Sequence, residues 1–339
     1  MPITLRNIPS GPKHLDRQFN FSLCTGYFQI GFLTLTKNLM HLFMIILLAG
    51  FTGEIALPSS ADAARQVTDQ IGRTLTIPDF PRRIVALAPS ITEILYALKQ
   101  EDRLVGVTQF SDYPEAAEKL PKVGSYVNLD VEKIVSLKPD LCIAVKDGNP
   151  VEIIAVLENL GIPVYAVDPR NLDSVMYTVT EIGELLNAGK KADKVVFEMK
   201  QRISRVKAMV SKASTRPRVF YQIGISPIVS AGSNTCIHEL IEMAGGENLA
   251  KGPASYPRFS TEQVLALSPD IFIITSMTRG AVFEEVKAEW RKWPQMPAVK
   301  NNRIVLVDSN LLDRPTPRLV DGLEMLFELI HPEFFKGKP

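Results

Sequence analysis

No motif in this 339-residue chain places residues at the spacing that covalent or metal chemistry needs. The chain has four histidines, of which His238 and His331 lie beyond the first 63 residues. Neither stands at metal-ligand spacing from cysteines or carboxylates. A G-x-S-x-G turn, a G-x-G-x-x-G loop and a P-loop are all missing from the sequence. The sequence therefore argues against an enzyme, a metal site and an intrinsic cofactor.

A tyrosine and a glutamate recur within a long internal repeat. Residues 125–145 read SYVNLDVEKIVSLKPDLCIAV, and residues 255–275 read SYPRFSTEQVLALSPDIFIIT. The repeat pairs Tyr126 with Tyr256 and Glu132 with Glu262. A period of this length exceeds that of a solenoid and predicts two similar lobes. Clefts between lobes commonly hold ligands, and aromatic rings there bury a large area with few rotors to freeze.

Strand and helix patterns alternate on both sides of a helical middle, which predicts an α/β fold in each lobe. Ser90 and Glu93 match an S-x-x-E capping box at the start of the helix that follows the first strand. The first lobe is predicted to have a hairpin at 67–77, strands at 83–88, 104–107, 141–145 and 164–167, and helices at 131–137 and 151–160. The second is predicted to have strands at 218–224, 271–275 and 303–308, with a last helix at 318–330.

The middle of the chain predicts one long helix. From residue 190 to 211, apolar residues recur every three or four positions along one face: Val195, Met199, Ile203, Val206 and Val210. Such a helix would be about 30 Å long, roughly the width of a small lobe. We therefore expect a first lobe at 64–171, a helical segment with an inter-lobe helix at 172–215, and a second lobe at 216–339.

The N-terminal residues 1–63 predict a leader with a secretory signal peptide. An apolar run at 39–51 is shorter than the roughly 20 residues that span a bilayer as a helix. Ala61, Asp62 and Ala63 then supply a small-x-small pattern, which predicts cleavage after Ala63 and export to the periplasm. No cysteine follows the run at lipoprotein spacing, so a lipid anchor is not expected.

The net charge argues against nucleic acid as a partner, and the cysteine positions argue against a disulfide. A formal net charge of +1 leaves no electrostatic footprint for nucleic acid. Cys24 lies in the predicted leader, while Cys142 lies in a buried-strand pattern and Cys236 opens a helix pattern in the other lobe. A disulfide between these last two is not expected, and both are predicted to be free thiols.

Several ordered segments resemble the periplasmic binding proteins for vitamin B12 and iron complexes. They include RIVALAPSITEIL, VGVTQFSDYPEAAEKLPKVGSY, LGIPVYAVD, HELIEMAGGENLA and RPTPRLVDGLE, and the likeness spans roughly residues 66–334. The resemblance implies two parallel-sheet α/β lobes joined by one long backbone helix, with a ligand cleft between them. It also implies a monomeric receptor that delivers a small-molecule ligand to an ABC permease dimer and its ATPase subunits.

The resemblance carries site positions onto this sequence. Ligand contacts are expected at Ser90, Phe110, Tyr126, Val145, Ile223, Tyr256, Asn310 and Arg314. The surface glutamates Glu132 and Glu262 match one permease-docking residue per lobe. This chain departs from the vitamin B12-binding branch at three positions, where a tryptophan, an acidic residue and an aromatic are replaced by Val145, Asn310 and Ile223. These departures bear on which ligand is carried.

Three ligand classes follow from the resemblance. A cobalamin-type corrinoid is favoured, because Tyr126, Tyr256 and Phe110 would pack against its macrocycle. Haem is an alternative, since Tyr126 could be an axial phenolate ligand. A ferric siderophore is the other alternative, with Arg258 and Arg314 as its candidate cations.

Overall fold

The computed structural model describes residues 63–275 and 281–335. The predicted signal peptide, with its apolar run at 39–51 and Cys24, lies outside the described residues. Within the described ranges, no helix combines the length and the apolar character needed to cross a bilayer.

The first lobe is built on a four-stranded parallel sheet in the order β4-β3-β5-β6. An antiparallel hairpin precedes it, as the alternating pattern predicted. The strands are β1 (Ala64–Thr68), β2 (Thr74–Pro78), β3 (Ile84–Ala86), β4 (Leu104–Val107), β5 (Leu141–Val145) and β6 (Val164–Val167). The helices are α1 (Pro89–Ala97), α2 (Val131–Ser136) and α3 (Val151–Asn159).

The second lobe has its own four-stranded parallel sheet, in the order β12-β11-β7-β9. Its strands are β7 (Arg218–Gln222), β9 (Glu247–Asn248), β11 (Ile271–Thr275) and β12 (Ile304–Val307), and β8 (Ile228–Val229) pairs separately with β10 (Arg258–Phe259). Its helices, numbered after two connecting helices, are α6 (Cys236–Met243), α7 (Thr261–Leu267), α8 (Ala281–Arg291), α9 (Pro297–Lys300), α10 (Ser309–Leu312) and α11 (Leu319–Ile330). The predicted fold class, two parallel-sheet α/β lobes, is confirmed.

The sequence repeat is also a repeat of backbone geometry. Lys138 and Ser268, which are equivalent residues in the two copies, both adopt the left-handed conformation with φ of 47°. Each is followed by Pro-Asp, and the aspartate accepts the backbone N–H at the start of a parallel strand, β3 in the first lobe and β7 in the second. Asp140 accepts from Arg83 at 3.0 Å, and Asp270 accepts from Arg218 at 2.9 Å. The recurring Pro-Asp therefore joins a helix end to a strand start in both lobes.

Two helices join the lobes, where the sequence predicted one. The long helix α5 (Gly189–Val210) is present as expected, and α4 (Leu172–Leu185) packs beside it. The start of α4 contributes Leu172 to the apolar core of the second lobe, and its later turns contribute Ile182 to that of the first. The start of α5 adds Ala192 to the first core, and its last turns add to the second. Both helices thus span the gap, which stiffens the link.

The predicted capping box at Ser90 and Glu93 is wrong. Helix α1 has Ala88 as its N-cap, starts at Pro89 and has no side-chain cap. A proline at the first helical position suits the start of a helix, because its missing N–H would have had no intrahelical acceptor. The Glu93 carboxylate is buried and pairs with residues of the second lobe instead. Cys142 and Cys236 are free thiols, as predicted.

Candidate functional site

A cleft of about 540 Å³ lies between the lobes. This is within the range of small-molecule sites, about 300–1,000 Å³. Its first-lobe wall is formed where β3, β4 and β5 end, because the carboxyl ends of parallel strands meet at one edge of a sheet. Seven of the eight predicted ligand contacts line it: Ser90, Phe110, Tyr126, Val145, Tyr256, Asn310 and Arg314.

Ile223 does not line the cleft. It follows β7 directly, and its backbone N–H donates to the Val229 carbonyl at 2.8 Å. Its side chain packs, partly buried, against the apolar core of the second lobe. Pairing with the strand at 228–229 turns the residue towards the lobe interior, so the position predicted from the resemblance is corrected.

Aromatic rings face the cleft from both lobes. Phe110 and Tyr126 on the first lobe meet edge to face with their centroids 6.3 Å apart. Tyr256 on the second lobe is 62% exposed and Phe110 is 44% exposed. Exposed aromatics grouped around a concavity usually mark a binding surface, since the fold gains nothing by leaving them in water.

Asn149 holds the first-lobe wall in place, and no sequence pattern points to it. Asn149 is 6% exposed, and its side chain bonds three chain segments at once. The amide nitrogen donates to the carbonyls of Leu87 at 2.7 Å and Tyr126 at 2.8 Å, and the amide oxygen accepts from the Val145 N–H at 2.7 Å. Tyr126 and Val145 therefore owe their relative position to one buried amide.

Four carboxylates also line the cleft, and sequence reasoning did not single out any of them: Asp112, Asp147, Asp308 and Asp313. Asp147 pairs with Arg170 at 3.0 Å, and Asp308 accepts from the Asn310 N–H at the start of α10. Asp313 receives the Tyr221 hydroxyl at 3.3 Å. Asp313 is exposed to the cleft, yet protein surrounds its carboxylate closely. The resulting loss of hydration raises its pKa to about 6, with a further increase from Asp308.

Arg314 reaches across the gap to the first lobe. One guanidinium nitrogen contacts Glu93 at 2.9 Å and Asp112 at 2.8 Å, and another donates to the Phe110 carbonyl at 3.0 Å. Among the described residues that line the cleft, it is the one cation, against four carboxylates. The predicted cleft arginine is therefore in place, and its Nη1 and Nη2 atoms already donate to acceptors of the first lobe.

Glu132 and Glu262 occupy equivalent exposed positions outside the cleft. Each lies in the first turn of its helix, α2 or α7. The helices are capped by Asp130 and Ser260, whose side chains accept backbone N–H groups. A hydrogen bond from Ser260 lowers the pKa of the Glu262 carboxyl. Both glutamates thus present carboxylates to solvent from matching helix ends.

Two α/β lobes, a two-helix link and a cleft lined from both sides define a two-lobed solute receptor. The chain belongs to the periplasmic binding protein family, whose family model matches residues 84–311.

Individual relatives are similar over most of their length. A vitamin B12-binding protein of Vibrio parahaemolyticus is 32% identical over 268 residues, covering 78% of this chain and 94% of the relative. An ABC transporter substrate-binding lipoprotein of Bacillus subtilis, YvrC, is 34% identical over 276 residues, covering 80% and 86%.

Solved structures agree with this fold. The vitamin B12-binding protein BtuF of Vibrio cholerae superposes with a TM-score of 0.64 at 30% identity, covering 76% of this chain and 99% of that protein. The haem-binding protein RhuT of Roseiflexus sp. RS-1 gives 0.68 at 26% identity, covering 74% and 98%.

Proposed function

We propose that this protein binds a cobalamin-type corrinoid between its lobes and delivers it to the permease of an ABC importer. The observation that carries the proposal is the composition of the cleft. Tyr126 and Phe110 on one wall and Tyr256 on the other offer flat apolar faces to a macrocycle. The named relatives that bind vitamin B12 support the same assignment.

The charge of the cleft lining favours a corrinoid over haem and over a ferric siderophore. The described lining has four carboxylates and one arginine. Asp112 is paired with Arg314 and Asp147 with Arg170, which leaves Asp308 and Asp313 as its carboxylates without an ion pair among the described residues. Haem propionates and anionic siderophores would be repelled there, and Arg314 is committed to Glu93 and Asp112. A corrin ring carries peripheral amides whose N–H groups donate well to carboxylates. Carboxylates beside aromatic walls therefore match a corrinoid best.

Haem is the second candidate, supported by one observation. Tyr126 and Tyr256 both present phenols to the cleft, and a phenolate is an established axial ligand of haem iron. The resemblance to the haem-binding protein RhuT agrees with this choice. The described lining of the cleft contains neither histidine nor cysteine, so an axial ligand for haem iron would come from a tyrosine there.

Calorimetry with cyanocobalamin, haemin and a ferric siderophore in parallel tests the assignment. We expect cyanocobalamin to bind tightly and the anionic ligands weakly. Replacing Tyr256 by Ala should weaken cyanocobalamin binding by about tenfold or more, because about 1.5–3 kcal/mol of apolar burial is lost. Replacing Tyr177 by Ala is a matched control, since this tyrosine is similarly exposed on α4 and is not among the cleft residues.

An absorption spectrum distinguishes the two macrocycles. A protein purified with bound haem shows an intense Soret band, and one with a corrinoid shows corrin bands at other wavelengths. The haem proposal would replace the corrinoid one if three results came together. Haemin would bind tightly, this binding would be lost when Tyr126 is replaced by Phe, and cyanocobalamin would not bind.

We also propose that the chain is exported by its N-terminal leader and acts in the periplasm as a monomer. Glu132 and Glu262 are proposed to dock on the two permease subunits. Their equal placement in the two lobes supports this role, because a rigid body with one carboxylate per lobe can engage two similar receptors together.

A further inference from the structure

Arg314 and Arg318 of the second lobe both form ion pairs with the buried Glu93 of the first lobe. Glu93 has 2% of its side chain exposed, Arg314 has 13% and Arg318 has 19%. Arg318 approaches the Glu93 carboxylate at 3.4 Å, and its guanidinium lies 3.6 Å from the centroid of the Tyr113 ring. The contacts join positions more than 200 residues apart, so they tie the lobes to each other.

The Arg314 guanidinium donates to acceptors of the first lobe. They are the carboxylates of Glu93 and Asp112 and the Phe110 carbonyl. The planar guanidinium fork fits several acceptors in one fixed orientation, which an ammonium group cannot do. Phe110 and Asp112 line the first-lobe wall of the cleft. The arginine therefore fixes that wall relative to the loop that follows α10.

Because the charged groups are buried, their contacts favour one arrangement of the two lobes. Loss of hydration raises the pKa of Glu93, opposed by its hydrogen bond with Arg314 and by the charge of Arg318. A buried ion pair adds little net stability, because desolvation offsets the Coulomb attraction. Its effect is to favour the one arrangement in which all partners meet.

We propose that Arg314, Arg318 and Glu93 form an inter-lobe clamp that sets the width of the cleft, and that Arg314 is a positioning residue which does not donate to the ligand. The clamp complements the link made by α4 and α5. The helices hold the lobes together, and the clamp selects the separation at which Tyr126 and Tyr256 face the same ligand. The effect on ligand affinity rests on the proposed function, whereas the geometric role does not.

The test compares Glu93→Gln with Arg314→Met, alone and combined, in the protein without its predicted leader at 1–63. Glu93 is not among the cleft-lining residues, so its variant removes the clamp without removing a ligand contact. Spin labels on Glu152→Cys and Lys300→Cys, both exposed and one in each lobe, report the inter-lobe distance after Cys236 is replaced by Ser. Arg216→Met is the control, since Arg216 pairs with Glu242 inside the second lobe.

We expect both clamp variants to broaden the inter-lobe distance distribution and the control to leave it unchanged. Cyanocobalamin affinity should fall about tenfold in each if the competent separation becomes about a tenth as populated. The double variant should lose less than the product of the two single losses, because both residues act through one clamp. If Glu93→Gln is not folded, Arg318→Met replaces it.

Two results would overturn the clamp. One is weakened binding in Arg314→Met with unchanged distances and normal binding in Glu93→Gln, which would make Arg314 a ligand donor. The other is an unchanged distance distribution in both variants. If the unmutated protein does not bind cyanocobalamin, the corrinoid proposal fails alone, because the distances are measured without ligand.

Discussion

At the residue scale, the buried amide of Asn149 sets the shape of the first-lobe wall. Replacing it by Ala leaves the Leu87 and Tyr126 carbonyls and the Val145 N–H without their partner. We expect a loss of about 1–3 kcal/mol in the free energy of unfolding, the usual cost of unsatisfied buried polar groups. Denaturant unfolding measures it. Asn301→Ala at the exposed end of α9 is the control, and equal stability in the two variants would contradict the role of Asn149.

Asp313 predicts a pH dependence of stability. Its pKa rises from 3.8 to about 6 on folding, so the folded protein holds this proton more tightly than the unfolded chain does. The favourable contribution is complete below 3.8 and is lost as the pH rises through about 6. Asp313→Asn should therefore gain thermal stability relative to the unmutated protein above pH 6, with the difference shrinking towards pH 4. A difference that is constant with pH would show that Asp313 ionises normally.

At the element scale, Asp140 and Asp270 perform the same task in two lobes. Each aspartate accepts a backbone N–H at the start of a strand and also donates its own N–H to a carbonyl there. Asp270→Ala removes one side-chain bond and should cost about 1 kcal/mol of unfolding free energy. Asp140→Ala removes two, from the N–H groups of Arg82 and Arg83, and should cost about 2 kcal/mol. Chemical denaturation of both single variants checks this. A loss in one variant and none in the other would mean that the repeat is only a repeat of sequence at this turn.

The contact between α4 and α5 depends on a glycine. A methyl group on Gly183 would lie 2.5 Å from the Ala192 Cβ, and Ala192 is fully buried. Gly183→Ala should destabilise the protein by about 1–3 kcal/mol, because the helices must move apart. The exchange Gly183→Ala with Ala192→Gly returns one methyl group to the contact and should restore most of the stability. A double variant as unstable as the single would place the defect elsewhere.

At the whole-molecule scale, the sequence predicted the features that short segments encode. It missed the contacts between residues that lie far apart along the chain. The duplicated Tyr and Glu segments, the alternating elements and the long helix face are all local patterns, and each has its predicted place. Glu93 shows the other case. Its spacing from Ser90 suggested a helix cap, but its partners Arg314 and Arg318 come from the far end of the chain. No pattern within a helix turn could reveal them.

Asn149 and the carboxylates of the cleft were missed for a related reason. An asparagine after a strand is ordinary in a loop, and only the meeting of three chain segments gives this one its role. Ile223 was misplaced because the resemblance fixes a position along the chain and not the direction of its side chain. The hydrogen bond from the Ile223 N–H to the Val229 carbonyl, which the sequence did not predict, holds the residue beside β8, and its side chain packs against the core of the second lobe.

The two lobes should act together in docking. Glu132 and Glu262 are exposed in the first turns of equivalent helices, and the packed helices α4 and α5 join the two lobes that carry them. Charge reversal of both, Glu132→Arg with Glu262→Arg, should abolish uptake of labelled cyanocobalamin by cells that depend on this protein. Binding in solution should stay within about twofold, because neither residue lines the cleft.

Single reversals should reduce uptake less than the double one does. One intact carboxylate would still dock its own lobe on a permease subunit. Helices α4 and α5 would then hold the second lobe near the other subunit at a high effective concentration. The matched control is Glu152→Arg with Glu284→Arg, which reverses exposed first-turn glutamates of α3 and α8, one in each lobe. Equal loss of uptake in this control would assign the effect to net charge, and full uptake in the Glu132 and Glu262 double variant would remove both residues from the docking surface.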